Sequence, residues 1–341
     1  MKHTVDLKKY SVRSDLALDN IEACDSLYGI RQKIKEKDNI TITDVQLDKN
    51  NALKKKEGYY ITVEFDDVTD SDNFKQVFTI FKEELKILLK RMNIKDHDTC
   101  LVIGLGNLNS TPDALGPQVI DNILVTNHIY KLGQLDKKYR RVSAISPGVT
   151  GQTGIETVDI IKSIVDKIKP DFIIAIDSLA SQSIDRVNKT IQMTNTGIHP
   201  GSGIGNSRKE VSIATLGIPV LAIGIPTVVD ASVIVADTIN YMYKHYAFVK
   251  EYQDKPISKL TFNNVNYLKR DIHYKVDKEK LFGLIGTLDQ DEIRLLIQEV
   301  LTPIGYNMMV TPKEIDFVLN KLSTLISKGL NTILHQKENR A

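Results

Sequence analysis

The chain has 341 residues, of which 42% are hydrophobic and 26% charged, and its formal net charge is +2. Such proportions fit an ordinary globular protein of one large domain or two smaller ones. The near-neutral balance gives no global case for a nucleic-acid partner, and no apolar run reaches the roughly 20 residues of a membrane helix.

The N-terminus, MKHTVDLKKYSVRSDLA, has no apolar core of a secretory signal, so a cytoplasmic protein is expected. No stable element is expected before residue 21. Ile40–Val45 and Tyr59–Phe65 alternate apolar and polar residues, as strands with one wet face do. Asn73–Met92 carries apolar residues at helical spacing and reads as an amphipathic helix. Cys100–Ile103 is a short buried strand, and Cys100 is expected to be a reduced, buried thiol. Asp113–Val125 reads as a helix, followed by a loop through Gly133 and a basic run. Val142–Ile145 is a strand and Gly154–Ile168 a helix. Phe172–Ile176, FIIAI, is wholly apolar and belongs in the middle of a parallel sheet. Thr190–Met193 and Val220–Ile225 are further strands, and Ala231–Tyr246 is a helix. Asp289–Leu301 and Thr311–Leu334 are C-terminal helices. Strands alternating with helices predict a three-layer α/β/α fold around a mostly parallel sheet.

Ligands in open α/β sheets gather at the carboxyl ends of the strands. Two aspartates stand there. Asp113 follows the turn after Cys100–Ile103, and Asp177 ends FIIAI. Two carboxylates brought together in such a crevice share a proton and can serve as general base and general acid. Each has a structural alternative as a helix cap or first-turn acid, and residue spacing alone leaves both readings open. Gly104 and Gly106 lack the third glycine of a dinucleotide fingerprint, because Asn109 takes its place, and lack the Lys-Ser/Thr of a phosphate loop. The segment Gly197–Gly205, GIHPGSGIG, is either a tight surface loop or a backbone that approaches a ligand closely. His199 within it is a candidate ligand or proton-transfer group. No zinc spacing and no GxSxG nucleophile elbow occurs.

Long blocks carry a further signal. GLGNLNSTPDALGPQVIDNILVT, SPGVTGQTGIET, PDFIIAIDSLASQSIDRVNKTIQMTNTGIHPGSGIGNSRKE and TLGIPVLAIGIPTVVDA follow one another. With YSVRSDLALD and TPIGYNMMVTPKEID they resemble the spore germination protease family over nearly the whole chain. The resemblance implies an endopeptidase that degrades small acid-soluble spore proteins. It also implies a homotetramer made as a zymogen in the forespore, without cofactor, membrane association or direct nucleic-acid contact. It implies a fold similar to the hydrogenase maturation endopeptidases, with N-terminal strands and a C-terminal helical appendage added. The family's two catalytic aspartates fall on Asp113 and Asp177, and self-cleavage falls between Asp15 and Leu16.

The implied organisation is a propeptide at 1–15 and one peptidase domain at 16–341. The latter comprises N-terminal strands and helix (16–99), a catalytic core (100–248) and a linker with C-terminal helices (249–341). Cleavage after acidic residues calls for basic contacts, with Arg186, Arg208 and Lys209 as candidates. His199, Gly201 and Gly203 are further candidates for holding substrate. Metal-assisted hydrolysis at the same carboxylates, and acidic-peptide binding without cleavage, are the alternative readings.

Overall fold

The computed structural model describes residues 16–22, 24, 26–136, 138–200, 209–252, 277–301 and 308–335. The chain begins with a short helix, α1 (Ala17–Glu22), then β1 (Ile30–Lys37), β2 (Ile40–Leu47), β3 (Gly58–Glu64) and the long α2 (Ser71–Arg91). β4 (Cys100–Gly104) leads through a one-turn 3-10 segment, Thr111–Asp113, into α3 (Leu115–Ile120) and α4 (Asn127–Lys131). Next come β5 (Val142–Ile145), α5 (Thr150–Thr153), α6 (Thr157–Ile168), β6 (Phe172–Ser181) and β7 (Thr190–Thr194). α7 (Ile213–Leu216) and β8 (Val220–Asp230) follow, and then α8 (Ala231–Tyr252), α9 (Lys278–Phe282), α10 (Gln290–Leu301), β9 (Met309–Val310) and α11 (Ile315–Leu334).

The strands form one mixed sheet in the order β1-β2-β3-β7-β8-β6-β4-β5. Its centre is parallel where β4 pairs with β6 and β5. The N-terminal strands join it antiparallel, β1 to β2, β2 to β3 and β3 to β7. Alternation along each strand sorts the side chains onto two faces. One face buries Ile42, Ile61, Val102, Ile174 and Ile223 against Phe81 and Leu85 of α2, Leu115 and Val119 of α3, and Leu322 and Leu330 of α11. On the other, Leu101, Ile103, Ile173 and Ala175 meet Val158, Ile161 and Val165 of α6. These are the expected three layers. The last helix is part of the core: Gly329 lies so near the Phe81 ring that a Cβ there would come within 2.6 Å.

Contacts divide the chain into two compact units. The first holds the described residues up to Val228 and those from Thr311 onward. The second is Val229–Val310, in which α8 packs on α10 and the Tyr243 ring meets Phe282 edge-on at 4.9 Å. Within it, Val229 and Asp230 pair with Val310 and Met309.

Several elements differ from the sequence reading. α1 forms because Ala17, Leu18 and Ile21 bury against Val45, Leu47 and Tyr60 on the sheet face opposite α2. β1, seven of whose eight residues are exposed, is an edge strand without the apolar alternation that would announce it. The helix expected over Asp113–Val125 stops at Ile120. There Asn331 of α11 accepts from the Leu124 N–H at 2.9 Å and donates to the Asn122 carbonyl at 2.9 Å, taking over bonds the next helical turn would make. The helix expected from Gly154 begins at Thr157, because Gly154 itself is left-handed, with φ +70°, and closes α5. Cys100 is buried and free, and burial pushes its thiol well above the usual range.

Candidate active site

The geometry starts from β4. Its last residue, Gly104, is level with Ile176 of β6, and the Leu105 N–H donates to the Ile176 carbonyl at 2.8 Å. Asp177 is therefore the next residue of β6, one strand across from the point where the chain leaves β4. Adjacent strands lie roughly 4.8 Å apart. The chain from Gly106 to Asp113 folds back on itself: the Asn107 N–H donates to the Asp113 carbonyl at 3.0 Å. Gly106, at φ +110°, is in the region that favours glycine, and a Cβ there would stand 2.0 Å from the Asp113 carbonyl oxygen and 3.1 Å from its Oδ1. Asp113 thus leans over Gly106 at the carboxyl end of β4, and its 3-10 turn packs against β6. The turn that carries Asp113 leaves β4 level with Ile176, the residue before Asp177.

Three further contacts hold the turn. Thr227 of β8 donates its hydroxyl to the Pro112 carbonyl at 2.6 Å. Gln152 of α5 donates to the Asn107 side chain at 2.6 Å. α3 presses backbone on backbone against β4: a Cβ on Gly116 would lie 2.2 Å from the Leu105 carbonyl oxygen, and one on Gly104 would lie 2.3 Å from the Gly116 carbonyl oxygen. The glycines serve close approach and a tight turn.

Asp113 is a first-turn acid of its 3-10 segment, whose N-cap is Ser110, but it does not cap α3. The N-cap of α3 is Ala114. Asp177 lies inside β6, which runs on to Ser181, and its Oδ1 accepts from the Ser178 N–H at 2.9 Å. Asp177 is 4% exposed, whereas Asp113 is half-buried. One carboxylate is enclosed and the other reaches toward solvent, an asymmetry suited to dividing base and acid roles.

Among the described residues, His199, Lys209 and Arg186 make ion pairs with other acids. His199 stands 3.1 Å from Glu210 Oε2, and its side chain is largely exposed. Burial works against the Glu210 carboxylate, but Lys56, Ser212 and His199 together hold it below its usual range. Lys209 pairs with Asp159 at 3.0 Å on the surface. Asp15, Gly201, Gly203 and Arg208 lie outside the described residues. Among the described residues no group of three or more His, Cys, Asp or Glu side chains forms a metal-binding cluster, and no helix is long and apolar enough to cross a membrane.

Arg186 is half-buried, and it donates to Asp19 through Nη1 and to Glu64 Oε1 through Nε at 3.1 Å. Asp19 also accepts from the Gln182 N–H at 2.8 Å and from the Ser181 hydroxyl at 3.4 Å. Beside it, the Ala17 N–H donates to Gln192 Oε1 of β7 at 2.6 Å. Sequence reasoning passed over Asp19, Glu64 and Gln192. The one available signal was an acid four residues beyond the expected junction.

A family model described as germination protease matches residues 7–341. Germination proteases of Bacillus mycoides (strain KBAB4) and Bacillus subtilis (strain 168) are 46% and 44% identical to this chain, aligning over 99% and 98% of it and 97% and 96% of their own lengths. That of Priestia megaterium (strain ATCC 12872 / QMB1551) is 45% identical over 99% of this chain and 97% of its own. Among solved structures, the [NiFe] hydrogenase maturation protease HycI from Thermococcus kodakarensis KOD1 matches at a TM-score of 0.25 and 17% identity, over 38% of this chain and 74% of that one. That match is too slight to bear on the site.

Proposed function

Since the chain belongs to the germination protease family, we propose that it is an endopeptidase in which Asp113 and Asp177 activate water. Its substrates are the small acid-soluble proteins of the spore core. It is made as a zymogen that cuts its own chain between Asp15 and Leu16, and it works as a homotetramer. The observation that supports this reading is that the turn carrying Asp113, after the end of β4, packs against β6, in which Asp177 is enclosed while Asp113 is held over Gly106.

In the reaction one carboxylate takes a proton from water as its oxygen attacks the peptide carbonyl carbon. The other, protonated, gives its proton to the amide nitrogen as the C–N bond breaks. The products are a new carboxyl group and a new amine, and the pair is left one proton short on one side and one in excess on the other. A proton exchange between them, direct or through water, resets it. No metal step is needed to balance this sequence.

The test replaces Asp113→Asn and Asp177→Asn singly in the full chain. Incubation, followed by mass analysis of the chain and of an added small acid-soluble spore protein, reads both reactions. Each replacement should stop self-cleavage and fragmentation of the added protein. Full activity in both variants would overturn the mechanism. An intact spore protein after incubation with the processed wild-type chain would overturn the function.

A further inference from the structure

We infer that Thr227 is a positioning residue for the proposed reaction: its hydroxyl, on a strand held from behind by Thr311, ties the turn that carries Asp113 to the far side of β6. The inference rests on the reading of Asp113 and Asp177 as the reacting pair.

The argument starts from the two peptide units that flank the Asp113 Cα. Each is planar, so fixing its N–H and C=O fixes the whole unit. The Asp113 N–H donates to the Ser110 carbonyl at 2.8 Å, and the Ala114 N–H donates to the Thr111 carbonyl at 3.1 Å. The Asp113 carbonyl accepts from the Asn107 N–H at 3.0 Å. These three bonds are internal to the turn. They set its shape and leave it able to shift as one body. The fourth group, the Pro112 carbonyl, accepts from the Thr227 hydroxyl at 2.6 Å. That bond comes from β8, and it ties the turn to the sheet.

The place of β8 gives the bond its consequence. β8 and β4 stand on opposite sides of β6. With neighbouring strands about 4.8 Å apart, a turn that leaves β4 and is held by β8 crosses about 10 Å. It therefore spans β6, the strand that bears Asp177, and the 3-10 segment packs on that strand. Moving the turn changes the separation of the two carboxyl groups directly.

Thr227 is suited to hold it. It is fully buried, and a buried hydroxyl is committed to its partner. Its β-branch stiffens χ1 and so fixes where the hydroxyl points. Its own carbonyl accepts from the Thr311 hydroxyl at 2.9 Å. The chain leaves the larger unit after Val228 and re-enters it at Thr311, so this second bond joins the exit to the return, next to the residue that grips the turn.

The experiment measures steady-state cleavage of a purified small acid-soluble spore protein by the processed enzyme, with rates taken per folded molecule. Thr227→Val keeps the branched shape and removes the donor. It should lower kcat by about 10- to 100-fold with KM little changed, because a misplacement of about 1 Å costs up to about 100-fold. Thr227→Ser, which can make the same bond, should return most of the loss. Thr311→Val should lower kcat less, and adding it to Thr227→Val should cost no more than Thr227→Val alone, as for two residues acting through one bond.

Unchanged kcat in Thr227→Val would overturn the inference and leave the protease reading standing. So would a loss carried by KM alone, or a Ser variant no better than Val. Fully additive losses in the double variant would overturn the role given to Thr311. A wild-type enzyme that leaves the spore protein intact would overturn the protease reading and this inference with it.

Discussion

In the parallel half of the sheet, β4 and β6 as far as Ile176 are covered by helices on both faces and read as unbroken apolar runs, while β5 at the edge is only partly buried. In the antiparallel half, apolar and polar side chains alternate along β2, β3 and β7 but not along the exposed β1, and on the face away from α2 polar groups such as Thr62, Gln192 and Thr194 are buried beside the N-terminal segment. The first half carries the candidate chemistry at its strand ends. The second half carries the grip on the chain that leads to the junction. The contrast separates the candidate reacting groups, carried by β6 and the glycine turn after β4, from the polar side chains that hold the N-terminal segment across the sheet face. Changes in the two halves should therefore fail in different ways.

The largest effect should come from the chemical half. Asp177→Asn keeps the volume of the side chain and should reduce cleavage by about 10³-fold or more, in line with loss of a positioned acid–base group. Thermal melting should move little, since the volume of the buried side chain is kept. A variant that loses activity only in proportion to its loss of folded protein would show that Asp177 belongs to the scaffold.

The next effect belongs to the antiparallel half. Arg186→Ala leaves Asp19 and Glu64 without their guanidinium, Asp19 in a buried setting. Removing one member of a buried pair costs about 3–5 kcal/mol, readable by denaturant unfolding. A loss below 1 kcal/mol would mean that water reaches Asp19 and that the cluster is not sealed. Smaller again should be Gly116→Ala, where a methyl group meets the backbone of Leu105. Forcing α3 off β4 should cost about 1–3 kcal/mol and also lower activity, because Asp113 is carried on the turn between them. Full activity in that variant would show that the turn holds Asp113 without the helix.

The same division explains what could be read from residues alone. Cys100–Ile103, Phe172–Ile176 and Val220–Ile225 were legible because a strand buried on both faces has nowhere to put a polar residue. Asp177 stood out as the first acid after such a run. Asp113 was legible as a residue near a strand end, but its position over Gly106 depends on a chain reversal that no pattern announces. β1 was not legible, since an exposed edge strand needs no apolar period. Nor was the end of α3, which is set by Asn331, more than 200 positions away. The Asp19–Arg186 cluster was illegible for the same reason: its members come from α1, β3 and the segment after β6. Arg186 was noticed as a cation for acidic substrates, and the structure shows it holding an acid of its own chain.

The smallest effect concerns Glu84, on α2 beneath the antiparallel half, away from both the carboxylates and the grip. It is 5% exposed. Burial pushes its carboxyl above the usual range; Lys35 and Arg91 oppose the shift, and Asp44 and Glu83 add to it. A carboxyl raised in the folded state keeps its proton to higher pH than in the unfolded chain. The unfolded state therefore ionises first as pH rises, and the folded state loses stability through the interval up to the raised value. Stability from this group is full in acid and lost above its folded pKa. Glu84→Gln should then stabilise the protein at neutral pH, by roughly a degree or two of melting temperature. The gain over wild type should shrink toward zero as both proteins are taken below the ordinary glutamate range, where neither side chain is charged. A gain that persists or grows in acid would mean that packing, not protonation, distinguishes the two side chains.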